Sequence, residues 1–81
     1  MEKRIGVVGI VIENRDVVHL VNQILSDHSE MIVGRMGIPY RQRQVSVISL
    51  IVDGNTDEIG SMTGKLGALS KVSVKAALTK K

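Results

Sequence analysis

Cysteine is absent from this 81-residue chain, and that gap removes disulfides, thiolate metal sites and a thiol nucleophile together. Small secreted domains usually carry disulfides, so the same gap favours the cytoplasm. Phenylalanine and tryptophan are also missing, leaving Tyr40 as the single aromatic residue and no platform for stacking single-stranded nucleic acid. Pro39 is the only proline, and no linker, repeat or low-complexity segment interrupts the chain. Apolar runs are too short to cross a membrane. The nearest candidate, Ile5 to Ile12, follows Met1-Glu2-Lys3-Arg4, but Glu13-Asn14-Arg15-Asp16 stands where a signal peptide would place small residues for cleavage. That run reads as a buried first strand.

What remains is aliphatic. Hydrophobic residues make up 43% of the chain, almost all Val, Ile, Leu, Met and Ala, the mixture that suits buried strands and the helices packed on them. The length allows one domain, residues 1–81, and a chain this short buries only about 60–65% of its unfolded surface. So much aliphatic surface on so small a body implies that a partner covers part of it. Net charge is +3, from eleven basic and eight acidic residues, with part of the excess in Lys80-Lys81. An excess this modest does not by itself indicate nucleic acid.

The hydrophobic period alternates along the chain. Residues 5–12 read as a strand, and residues 15–28 as a helix with Val17, Leu20, Val21, Ile24 and Leu25 on one stripe. Asn14 is placed to cap that helix and Asp16 suits its positive end. Residues 31–38 read as a second strand, Pro39 and residues 41–44 as a turn, and residues 45–53 as a third strand. Asn55 and Glu58 have the spacing of a capping box ahead of a helix carrying Ile59, Met62, Leu66 and Leu69. Residues 72–79 close the chain as a fourth strand. The order βαββαβ is that of the α+β ferredoxin-like fold, a four-stranded antiparallel sheet with both helices on one face.

In that plan the first and third strands are central, and the uncovered sheet face should alternate to polar. It does not. Strand one sets Ile5, Val7 and Val11 against Val8, Ile10 and Ile12; strand three sets Val45, Val47 and Ile51 against Ile48, Leu50 and Val52. A face left apolar on a small domain points to a second subunit or a partner. Val7, Val8, Ile10, Ile48 and Leu50 are the candidate interface residues, with register deciding which face outward. Lysine at Ile48 or Leu50 is then expected to break either the core or the oligomer.

Other motifs resolve into simpler explanations. Gly60-Ser61-Met62-Thr63-Gly64-Lys65 has three residues between its glycines where a phosphate loop needs four, and Leu66 follows the lysine in place of Ser or Thr. Each glycine costs a helix about 1 kcal/mol relative to alanine, so Gly60 and Gly64, with Gly67, are read as a small-residue face for subunit packing. Asp53, Asn55 and Asp57 open like a calcium loop, but Glu58 and Gly64 occupy the positions where that loop needs Gly and Glu. His19 and His28 stand nine residues apart on one helix, on nearly opposite faces, and cannot chelate one ion. No nucleophile with a base, and no carboxylate pair free of a capping role, indicates catalysis. The most distinctive stretch is the hairpin, where Arg35, Tyr40, Arg41 and Arg43 cluster as a candidate surface for an anion or a partner.

Arg35-Met36-Gly37-Ile38-Pro39-Tyr40, and Thr56-Asp57-Glu58-Ile59-Gly60 running into Thr63-Gly64-Lys65-Leu66-Gly67, resemble the iron-only hydrogenase system regulator family over nearly the whole chain. The resemblance implies an ACT-like domain related to the C-terminal sensor half of nickel-responsive repressors. It also implies dimers or tetramers, with small effectors bound at subunit interfaces. Two features depart from those relatives. The repressors hold metal with histidines and a cysteine, which this chain does not reproduce, so no metal or cofactor is expected. Amino-acid-binding ACT domains place Gly after Pro between the first strand and helix, where this chain has Glu13-Asn14-Arg15-Asp16. The expected function is a self-associating, effector-sensing or protein-interaction module with a regulatory role. The alternative is a DNA-binding transcriptional regulator using the basic hairpin.

Overall fold

The computed structural model describes residues 2–80. Four strands, β1 (Arg4–Ile12), β2 (Ile32–Tyr40), β3 (Val45–Gly54) and β4 (Val72–Leu78), and two helices, α1 (Val18–Asp27) and α2 (Thr56–Gly67), follow in the order βαββαβ. The strands form one antiparallel sheet in the order β2-β3-β1-β4, so the two strands with the most continuous apolar sequence are the central ones. Both helices pack on one face, giving the ferredoxin-like α+β sandwich.

Local chemistry sets the helix starts. The Asn14 side chain accepts from the Asp16 N–H at 3.0 Å, and the chain enters α1 through a 3-10 turn, Arg15–Val17. At α2 the capping box closes both ways: Asn55 Oδ1 accepts from the Glu58 N–H at 2.8 Å, and Glu58 Oε1 accepts from the Asn55 N–H at 3.1 Å.

The core lies between the sheet and the helices. Val8, Ile10 and Ile12 of β1 and Ile48, Leu50 and Val52 of β3 are buried under Val21 and Leu25 of α1 and Ile59, Met62 and Leu66 of α2. Every other residue of each central strand therefore points at the helices, as a period of two requires. Leu20, assigned to the α1 stripe by spacing, is 41% exposed, because at about 100° per residue it stands at the edge of the face that Val21 and Leu25 bury.

β2 departs from expectation at both ends. Met31 belongs to a 3-10 turn, Ser29–Met31, and is buried, and the strand runs on through Pro39 and Tyr40. Proline is tolerated because β2 is an edge strand, where a missing N–H need not break a ladder bond. The reversal is the 3-10 turn Arg41–Arg43, ended by Gln44 in the left-handed region at φ 55°.

Candidate functional site

The pairing register decides which apolar side chains the helices leave uncovered. Val7 pairs with Ile51 and Ala77; Gly9 with Ser49 and Lys75; Val11 with Val47 and Ser73. On the far side of β3, Met36 pairs with Ser49, Ile38 with Val47 and Tyr40 with Val45. These positions share the open face. Ile5, Val7, Val11, Met36, Ile38, Tyr40, Val47 and Ile51 are each between 38% and 64% exposed on it. Asp53 and Lys75 are the only charged side chains at open-face positions of the four strands.

The face is notched. The row Met36, Ser49, Gly9, Lys75 crosses the sheet between two bulkier rows, and at its centre stand a glycine and a serine. A Cβ at Gly9 would meet only the Lys75 carbonyl oxygen, at 4.0 Å. Nothing among the described residues requires glycine there. Gly6 of the same strand differs, because a Cβ would collide with Leu78 and the Ala77 carbonyl.

Of the residues expected at an interface, Val7 lies on this face. Val8, Ile10, Ile48 and Leu50 do not: they are 5% exposed or less beneath the protein's own helices. The correction is one of register, since a shift of one residue exchanges the two faces. Both faces of these strands are apolar, so the pattern could not choose between them. Gly60 and Gly64 face outward from α2, with nothing within 4 Å of a Cβ built on either. They pack against no element of the chain itself.

The basic hairpin also divides. Arg35 is on the helix side of the sheet, where its Nη2 donates to Asn22 Oδ1 of α1 at 2.9 Å. Tyr40 joins the open apolar face, and Arg43 is exposed at the turn. Arg41 instead shares a hollow of about 500 Å³ with Arg15, Val18, Pro39, Gln44, Val45 and Ser46. Sequence reasoning missed Arg15, because it stands 26 positions from Arg41 and only the folded hairpin brings the two to one hollow. Acidic groups collect at the other end of α1, where Asp27, Glu30, Asp57 and Glu58 border a separate hollow. Among the described residues no three His, Cys, Asp or Glu side chains gather to hold a metal ion. His28 turns its Nδ1 back to the Ile24 carbonyl oxygen at 2.8 Å. No described helix is long and apolar enough to cross a membrane.

These features define the class as a ferredoxin-like α+β domain with one sheet face bare. A nitrogen regulatory PII-like protein from Thiomonas intermedia K12, CPII, bound to ADP, AMP and bicarbonate, has this fold at a TM-score of 0.51 and 12% identity, over 96% of this chain and 92% of that one. A formyltetrahydrofolate deformylase from Pseudomonas putida KT2440 contains it within a longer chain, at a TM-score of 0.59 and 11% identity over 94% of this chain and 28% of that one. Both likenesses concern the fold alone. The TM1266-like family, described as an iron-only hydrogenase system regulator, matches residues 4–76. The structure of the uncharacterized protein TM1266 from Thermotoga maritima has a TM-score of 0.92 and 36% identity, over 98% of this chain and 100% of that one. The chain belongs to the iron-only hydrogenase system regulator family. No curated protein matches it.

Proposed function

We propose that the protein is a cytoplasmic regulatory module of the hydrogenase system that pairs with a second copy through its open sheet face and senses a small effector. The observation that carries this reading is the bare apolar face. Four strands about 4.8 Å apart, the shortest of 7 residues at about 3.3 Å each, give a face of at least about 440 Å² in projection, before side-chain relief adds to it. Specific interfaces begin near about 600 Å² of accessible surface per partner, so the face is of the right order for a stable pair. Its composition agrees, being free of charge at the centre, where Val7, Ile51, Val11, Val47 and Ile38 flank Gly9 and Ser49. A second copy is the occupant that needs no further component. Membership in a regulator family supports a role in control, and the CPII likeness supports effector binding as something this fold can perform.

The DNA-binding alternative loses part of its basis, because Arg35 turns to Asn22 and leaves Arg41 and Arg43 without it.

The test is Val47→Lys. Val47 is 40% exposed on the open face, so lysine there is tolerated by the protomer and buried in a pair. Sedimentation equilibrium should find the wild type as a dimer or larger. The variant should sediment as a monomer with unchanged far-ultraviolet circular dichroism. A wild type that stays monomeric at high micromolar concentration, or a variant that associates equally well, refutes self-association through this face.

A further inference from the structure

We propose that the hollow between the β1–α1 turn and the β2–β3 hairpin binds a small sugar phosphate, either free or as part of a nucleotide. This deepens the sensing part of the reading above by giving the effector a chemical class. The hollow, of about 500 Å³, is of a size that holds a small metabolite. Arg15 and Arg41 reach it from different elements, and no acidic residue lines it. Neither guanidinium makes a hydrogen bond or ion pair with any described residue, so both forks are open for a ligand. Two arginines bordering one hollow suit the tetrahedral, doubly charged phosphate group, to which a guanidinium can donate two parallel hydrogen bonds. Gln44 and Ser46 add neutral donors and acceptors, and Val18, Pro39 and Val45 form an apolar wall.

A second hollow of about 360 Å³ adjoins the first and shares Arg15 and Gln44 with it. Its other sides are Glu13, Asn14, Asp16 and Lys71. Carboxylates repel a phosphate but accept hydrogen bonds from hydroxyl groups. The two hollows thus divide the labour that a phosphorylated sugar asks for, with phosphate between the arginines and hydroxyls against Glu13 and Asp16. Gln44 and Lys71 are the only described non-glycine residues with positive φ, at 55° and 59°, and both border this pair of hollows. The backbone holds these longer side chains at the edge of the site.

The measurement is isothermal titration of the full chain with ribose 5-phosphate, AMP, inorganic phosphate, ribose and citrate, with oligomer size read by light scattering on the same samples. Ribose 5-phosphate or AMP should bind saturably and more tightly than inorganic phosphate, and ribose alone should not bind. Whichever of the two binds more tightly distinguishes a free sugar phosphate from a nucleotide. Arg15→Gln and Arg41→Gln should each weaken binding by roughly tenfold or more, the loss expected for one charge-assisted bidentate contact. Lys65→Gln, which removes the same charge from the exposed side of α2, should leave binding unchanged. Absence of saturable binding by any phosphate, equal loss in Lys65→Gln, or a preference for citrate overturns the proposal. One protomer supplies both hollows, so a monomeric protein that still binds ribose 5-phosphate refutes the pairing face and leaves this site standing. A dimer that binds no phosphate does the reverse.

Discussion

Replacing Gly9 with valine should strengthen the protomer and weaken the pair. Within the chain a Cβ at this position meets one carbonyl oxygen at 4.0 Å, and the strand is central, so valine has room and suits the backbone. Exchanging glycine for a β-branched residue in a strand interior is worth up to about 1 kcal/mol to the isolated protomer. In a pair the same side chain fills the notch between the rows led by Ile51 and Val47. Overpacking a closed contact costs about 1–3 kcal/mol per site. A two-fold axis presents the substitution twice, so the loss is about 2–6 kcal/mol, or a dissociation constant raised roughly 30-fold to more than 10,000-fold. Sedimentation equilibrium over a dilution series measures that constant. Urea unfolding below it measures the protomer alone, free of the mass-action stabilisation that pairing adds. Unchanged or tighter association would show that nothing occupies the notch and would refute the assignment of this face. A protomer made less stable by valine would refute the steric argument instead.

The remaining predictions concern positions where the chain itself sets the requirement. Gly6→Ala should cost about 1–3 kcal/mol in urea denaturation, since its methyl group must displace Leu78 or the Ala77 backbone; a neutral result would mean that β4 yields freely at that end. Asn55→Ala removes the side-chain half of the α2 capping box and should cost about 1 kcal/mol, lowering Tm by roughly 4–8 °C in a domain of this size. An Asn55→Ala variant melting at the wild-type temperature would show that α2 is held by its buried face alone.

The elements and their order were legible from local rules. Asn14, Asn55 and Glu58 mark helix starts because a cap is a contact across two or three residues, and local spacing records it. Pro39 misled because proline marks a turn by its own chemistry, whereas the freedom to stay in a strand comes from the edge position of β2. Arg35 likewise belongs to α1 through Asn22, a contact no local pattern contains.

The sequence by itself determined the ferredoxin-like α+β fold with two apolar strands at its centre, since periodicity and capping act over a few residues. It also determined that apolar surface would outlast the two helices, because both sides of β1 and β3 carry Val, Ile and Leu. Only the tertiary structure decided which side is bare. Val8, Ile10, Ile48 and Leu50 went under the helices, and Val7, Val11, Val47 and Ile51 were left outside, because register and helix placement are set by packing across the whole sheet. Tertiary structure likewise drew Arg15 to Arg41, since a cleft between distant segments exists only once the hairpin has folded back beside the start of α1.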